Sequence, residues 1–186
     1  MECGYVFLYN VAVRHVNYTR GKLYAKNINI RDFEMEKDFD WIFLLDRYVN
    51  ATRYRKEVQE EIQNYSGDIY VATINKKVIG FISLSYPFWD KVAMIDYLAV
   101  EENYRKQGIG RLLIHHVLKR AQELSMRYVC VQTGLWNLGA INFYKRVGFS
   151  LRGVFPEYEG EGNDMIWLDI DIRKNSEASK QKPITY

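Results

Sequence analysis

Between Val92 and Arg111 the chain reads VAMIDYLAVEENYRKQGIGR, and few folds can use such a stretch. Val92 to Val100 is apolar or aromatic except at Asp96, the composition of a strand covered on both faces. Arg105-Lys106-Gln107-Gly108-Ile109-Gly110 follows, and after it an apolar-periodic run predicts a helix. A glycine-containing loop that opens a helix gathers backbone N–H groups at one point. Without Cβ atoms at Gly108 and Gly110 a ligand can come close, and the helix N-terminus adds partial positive charge. The natural guest is a phosphate or pyrophosphate. A P-loop is excluded, because Gly110 is followed by Arg111 and Leu112 rather than by Lys and Ser/Thr. A dinucleotide fingerprint is excluded too: Leu113 stands where a third small residue belongs.

The flanking chain supplies alternating strands and helices. Asn27–Phe33 alternates as a first strand. Phe39, Ile42, Phe43, Leu45, Asp46 and Val49 recur at helical spacing between Met35 and Val49. Thr52 is the expected cap of a second helix reaching Tyr65. Ile69–Ile74 and Val78–Ser85 read as a hairpin about Asn75-Lys76-Lys77. After the glycine loop, Ile109, Leu112, Leu113, Val117, Ala121 and Leu124 predict one buried helix stripe running to about Ser125, with His115 and His116 as solvated or edge residues. Arg127–Gln132 is the next strand, Leu138–Arg146 a short helix between Asn137 as cap and Gly148 as C′ residue. Phe149–Phe155 and Met165–Ile172 are two last strands, joined by an acidic linker from Pro156 to Asp164.

At 186 residues the chain suits one domain with a full core. Its 48% hydrophobic and 26% charged residues are ordinary globular values. A net charge of +3 spread along the chain carries no basic patch for nucleic acid. Cys3 and Cys130 form neither a metal motif nor a disulfide framework, so the expectation is a reduced, cytoplasmic protein without a metal. No apolar run reaches the ~20 residues of a membrane span. Residues 1–27 are expected to be an extension, 28–173 the domain and 174–186 a polar tail.

A second stretch is more specific than the loop. Asn137, Ala140, Phe143, Tyr144, Gly148 and Phe149 stand at the spacing N-x-x-A-x-x-F-Y-x-x-x-G-F. With the strand and R-x-x-G-x-G loop upstream, this resembles the GNAT N-acetyltransferase superfamily over about Ile28–Ile172. Within it, Trp89–Phe149 is most similar to streptothricin-type antibiotic acetyltransferases and to some protein N-terminal acetyltransferases. The resemblance implies an α/β fold with a central mixed, mostly antiparallel sheet, splayed between strands 4 and 5 and carrying helices on both faces. It implies acetyl-CoA as co-substrate, an amine as acceptor, and a monomer or homodimer.

The same resemblance assigns residues. The pyrophosphate belongs on the N–H groups of Lys106, Gln107, Gly108, Ile109, Gly110 and Arg111, aided by the side chains of Arg105 or Lys106. Pantetheine belongs along Leu98, Ala99 and Val100, with Asn137 holding it or the helix start, and an N–H near Leu98 meeting the oxyanion. Tyr144 is the expected proton donor to the departing thiolate, since a phenol of pKa ~10 stays protonated at neutral pH; the alternative is a core aromatic. For the base, relatives carry glutamate where this chain has Gln132, which cannot take a proton. Asp96, whose pKa partial burial would raise, and a water chain are the other candidates. Tyr86, Phe88, Trp89, Tyr97, Trp136 and Tyr158 are candidate walls of an acceptor pocket, and Glu157, Glu159, Glu161 and Asp164 would attract a cationic amine. A non-catalytic acyl-CoA sensor and a protein N-terminal or lysine acetyltransferase are the competing readings.

Overall fold

The computed structural model describes residues 28–49, 54–87 and 91–173, the side chains of 46–49 excepted. Its strands are β1 (Asn29–Asp32), β2 (Gly67–Ile74), β3 (Lys77–Ser85), β4 (Val92–Val100), β5 (Tyr128–Gly134), β6 (Ser150–Phe155) and β7 (Met165–Asp171). Its helices are α1 (Met35–Val49), α2 (Arg55–Gln63), α3 (Ile109–Glu123) and α4 (Leu138–Arg146). The seven strands run β1-β2-β3-β4-β5-β7-β6, a mostly antiparallel sheet in which β4 and β5 are parallel. The register of that parallel pair extends from Val92↔Tyr128 to Ile95↔Val131, so fewer than half of the nine β4 residues take part. The described residues divide into two compact units, one within 28–84 and 96–114 and the other within 85–95 and 115–173.

In the first unit Ile42 and Leu45 of α1 pack on Val71, Val78, Phe81 and Ala99 of the strands. Phe39, Phe43 and Val58 make a second cluster between α1 and α2. Asp38 is 1% exposed and is held by both guanidinium nitrogens of Arg31, at 2.6 and 2.8 Å, and by the Glu34 N–H. Burial alone would raise its pKa, but these hydrogen bonds outweigh burial and hold the carboxyl below its usual range. The β2–β3 hairpin closes on two residues, not three. Asn75 and Lys76 both have positive φ, at 48° and 68°, the requirement of a turn whose twist matches paired strands; Lys77 already belongs to β3. The second helix starts later than expected, at Arg55. Thr52 lies outside the described residues, and Glu57 reaches back to the Tyr54 N–H at 3.2 Å.

In the second unit β7 lies between β5 and β6, antiparallel to both. The last two strands of the chain therefore do not simply follow one another outward. α3 begins in the first unit, where Ile109, Leu113 and Ile114 are buried, and continues in the second, where Val117, Leu118 and Ala121 are buried; Leu112, and Leu124 just past the helix, are exposed. At about 100° per residue 114 and 118 fall on the arc that the other buried positions define and 112 falls opposite it, while 124 lies past the end of the helix. Gly148 ends α4 at φ 105°. Among the described residues no helix is long and apolar enough to cross a membrane.

Candidate active site

The first unit holds the glycine loop and its approach. After β4 the Glu101 N–H donates to the Ile79 carbonyl at 2.8 Å, and a single 3-10 turn spans Glu102–Tyr104. The Lys77 ammonium lies 2.8 Å from the Glu101 carboxylate, 5.4 Å from the Trp41 ring centre and 5.6 Å from that of Tyr104. The hydrogen bond to Glu101 raises the Lys77 pKa. Arg105 Nε donates to the Val100 carbonyl at 2.9 Å, and Gln107 Nε2 to the Asn103 carbonyl at 2.8 Å. Both side chains thus close the loop on itself. Gln107 is left with its backbone N–H for an anion, and Arg105 with the terminal nitrogens of its exposed guanidinium.

Two residues of the loop take left-handed conformations, Lys106 at φ 60° and Gly108 at φ 89°. Such alternation curls successive N–H groups toward one side, the geometry of an anion nest. A Cβ placed on Gly108 would meet nothing within 4 Å, so the loop is open at that point. Ile109 is 1% exposed and anchors the first turn of α3, whose leading N–H groups have no partner within the helix. These features fit a pyrophosphate: converging donors, an open cradle, the helix dipole, and the exposed cations Arg105, Lys106 and Arg111. Ahead of the loop, Ala99 faces the core, while Leu98 and Val100 are half-buried. At Gly80 a Cβ would come within 2.9 Å of the Ala99 carbonyl, so a glycine there lets β3 lie tight against this part of β4. Asp96, half-buried, accepts a hydrogen bond of 2.5 Å from the phenol of Tyr65 just past α2.

The second unit holds Tyr144, Asn137 and Gln132. Asn137 caps α4 with Oδ1, which accepts from the Ala140 N–H at 3.0 Å, so the cap uses the oxygen and not Nδ2. Tyr144 is 2% exposed, with ring centres of Phe143 and Phe149 at 5.3 and 5.4 Å, both edge-on. Its hydroxyl has no hydrogen-bond partner among the described residues, and burial pushes its pKa well above the ordinary phenol value. The residue is therefore a core aromatic that also carries a neutral, unspent donor.

Gln132 sits opposite Trp167 in the β5–β7 ladder, which puts the two side chains on one face of the sheet. Phe155 lies 5.8 Å from Trp167 and 5.9 Å from Tyr158, so that face carries a group of rings. Tyr158 was an expected pocket wall; Phe155 and Trp167 were not, and only the strand order brings them to Gln132. Cys130 shares the face, and burial, then Asp169, pushes its thiol up to about 11. The acidic linker is not uniform. Asp164 caps the Glu157 N–H at 2.9 Å and so serves the loop itself, Glu157 and Glu161 are exposed, and Glu159 is half-buried with its pKa raised by burial. Of the other expected walls, Tyr97 packs on Phe81 with ring centres 6.1 Å apart, Trp136 is 43% exposed, and Phe88 and Trp89 lie outside the described residues. No three His, Cys, Asp or Glu side chains among the described residues are grouped to hold a metal ion.

Comparison with known proteins gives the family. Residues 33–149 match the acetyltransferase (GNAT) family. The chain belongs to that family. It is 33% identical to an uncharacterised N-acetyltransferase of Methanocaldococcus jannaschii over 90 residues, a match that spans 46% of this chain and only 40% of that protein. It is 28% identical to an N-alpha-acetyltransferase of Sulfurisphaera tokodaii, across 75% of this chain and 90% of the other. It is 32% identical to a streptothricin acetyltransferase of Streptomyces lavendulae, across 49% and 50%. The fold is shared with a GNAT acetyltransferase from Elizabethkingia anophelis solved with acetyl-CoA bound, at a TM-score of 0.62 and 24% identity, covering 78% of this chain and 98% of that one.

Proposed function

We propose that this protein moves an acetyl group from acetyl-CoA to a primary amine by direct attack within a ternary complex, and that the acceptor is a cationic small molecule. The observation that carries the reading is the open loop at Gly108, with its left-handed turns and helix N-terminus. Acetyl-CoA supplies an activated thioester. The loop N–H groups hold its pyrophosphate, Leu98 to Val100 offer a strand edge to pantetheine, and Asn137 Nδ2 donates to it. Tyr144 keeps its proton for the sulfur that departs. The N–H near Leu98 stabilises the charge that develops on the carbonyl oxygen. Cys130, held as a thiol, offers no thiolate for an acyl-enzyme, which favours direct transfer. A reduced, cytoplasmic setting suits that thiol.

For the base we assign Asp96 over Gln132, because the carboxylate can take a proton and Tyr65 orients it. Asp96→Asn is expected to lower kcat by roughly 10²- to 10⁴-fold with acetyl-CoA affinity retained. Tyr65→Phe removes the hydrogen bond that orients the carboxylate and is expected to lower kcat with acetyl-CoA affinity retained. Wild-type turnover in folded Asp96→Asn and Tyr65→Phe proteins returns the role to water.

The linker carboxylates support a cationic acceptor. Neutralising Glu157, Glu159 and Glu161 together is expected to raise the amine KM by roughly 10-fold, to leave the acetyl-CoA KM alone, and to weaken the salt dependence of kcat/KM. Glu159 is expected to carry most of the effect, being the one of the three that is partly shielded from water. An unchanged amine KM makes the linker plain surface. Release of CoA thiol across an amine panel tests the reading as a whole, and a protein that binds acetyl-CoA yet acetylates nothing is a sensor instead.

A further inference from the structure

The first unit contains a cleft that the assigned chemistry does not use. It opens between α1, α2 and strands β2 to β4, and Ile42, Ile62, Ile69, Phe81 and Tyr97 wall it. Its volume is about 400 Å³ with the open mouth included. It is a narrow slot. Ile62, Ile69 and Tyr97 pack against the core and yet remain only partly buried, so the slot leaves apolar surface uncovered.

Two further observations mark it as built for a guest. Ser83 lines the slot at 3% exposure, and its hydroxyl has no partner among the described residues. A buried hydroxyl left unpaired loses its hydration without compensation, so in an apolar slot it calls for a polar atom brought from outside. Tyr65, whose phenol holds Asp96, also lines the slot. The slot and the proposed base therefore share a wall.

We propose that this slot receives an unbranched alkyl chain carried by the amine acceptor, with the Ser83 hydroxyl meeting a polar atom at the far end of the chain. The inference rests on the acetyltransfer reading above and narrows its acceptor to a chain-bearing amine rather than a compact or polycationic one. A narrow apolar slot adds binding for each methylene that enters and stops when the chain reaches its inner end. Branched or bulky skeletons do not enter.

The test is a chain-length series of primary alkylamines from ethylamine to hexylamine, with CoA release as the readout. In wild type kcat/KM is expected to rise about 4-fold per added methylene, the effect of burying one such group. Ile62→Trp, which fills the slot from α2, is expected to flatten the series while ethylamine and acetyl-CoA keep their constants. Amino alcohols of matching length report on Ser83: their handicap against alkylamines should be larger in Ser83→Ala than in wild type. Calorimetry with alkyltrimethylammonium ions, which have no N–H to acetylate, gives a readout free of turnover. Affinity that rises with chain length in wild type and not in folded Ile62→Trp supports the slot even if no amine is acetylated, and then it is the acetyltransfer reading that fails. A flat wild-type series in both measurements, or a slope that survives in Ile62→Trp, overturns the slot; equal handicaps in Ser83→Ala and wild type overturn the role of its hydroxyl.

Discussion

Replacing Gly110 by valine is expected to leave a folded protein that no longer binds acetyl-CoA, with an affinity loss of at least 100-fold by calorimetry. Gly110 lies in the first turn of α3 and is not among the residues with positive φ, so a side chain there does not strain the backbone. On the proposed reading it stands where N–H groups meet the ligand, and a branched side chain would keep a pyrophosphate at a distance. Gly108→Val adds a second effect, because its φ of 89° disfavours any L side chain. That variant is expected to lose binding and some stability together. Comparing the two separates blocked approach from loop strain. A folded Gly110→Val protein with unchanged affinity would sink the cofactor assignment.

Tyr144→Phe is expected to bind acetyl-CoA as wild type does and to turn over roughly 10²- to 10⁴-fold more slowly, the range for a lost general acid. The ring keeps its edge contacts with Phe143 and Phe149, so packing is conserved. The missing atom is the hydroxyl, which has no partner among the described residues, and removing it is expected to leave thermal stability unchanged or slightly raised. The elevated phenol pKa fixes the pH sign. The folded protein keeps this proton above pH ~10, where an unfolded chain gives it up, so stability attached to Tyr144 falls as pH rises beyond the ordinary tyrosine value. Below that value the group contributes no pH dependence, and the alkaline limb of stability should soften in Tyr144→Phe. Wild-type turnover in this variant would reduce Tyr144 to packing.

What the sequence discloses about this fold follows its local periodicities. The strand before the loop, the helix after it and the cap–C′ pair Asn137 and Gly148 are legible because each is set by neighbours within four residues. Gly108 is legible for the same reason, since only glycine takes that φ at no steric cost. Lys106 at φ 60° is not, because a lysine gives no local sign of a left-handed conformation. Tyr65 and Asp96 are 31 positions apart and meet only when α2 reaches β4, so the residue that holds the proposed base has no signature in the chain. Placing β7 between β5 and β6 likewise brings Trp167 and Phe155 to the face of Gln132, a result of strand order and not of spacing. The acidic linker reads as one cluster in sequence, yet Asp164 is committed to the Glu157 N–H and Glu159 alone of the three glutamates is shielded.

The ties around Lys77 bear on how quickly acetyl-CoA can be captured. Lys77 joins β3 to Glu101, stacks its charge between Trp41 and Tyr104, and so fixes the segment that leads from β4 into the glycine loop. Arg105 and Gln107 then close that segment from within. A loop already held in its binding shape loses little conformational freedom when the pyrophosphate arrives. On the proposed reading most of the attraction between donors and phosphate then survives as affinity, and capture of acetyl-CoA is governed by encounter and charge, without a folding step at the loop.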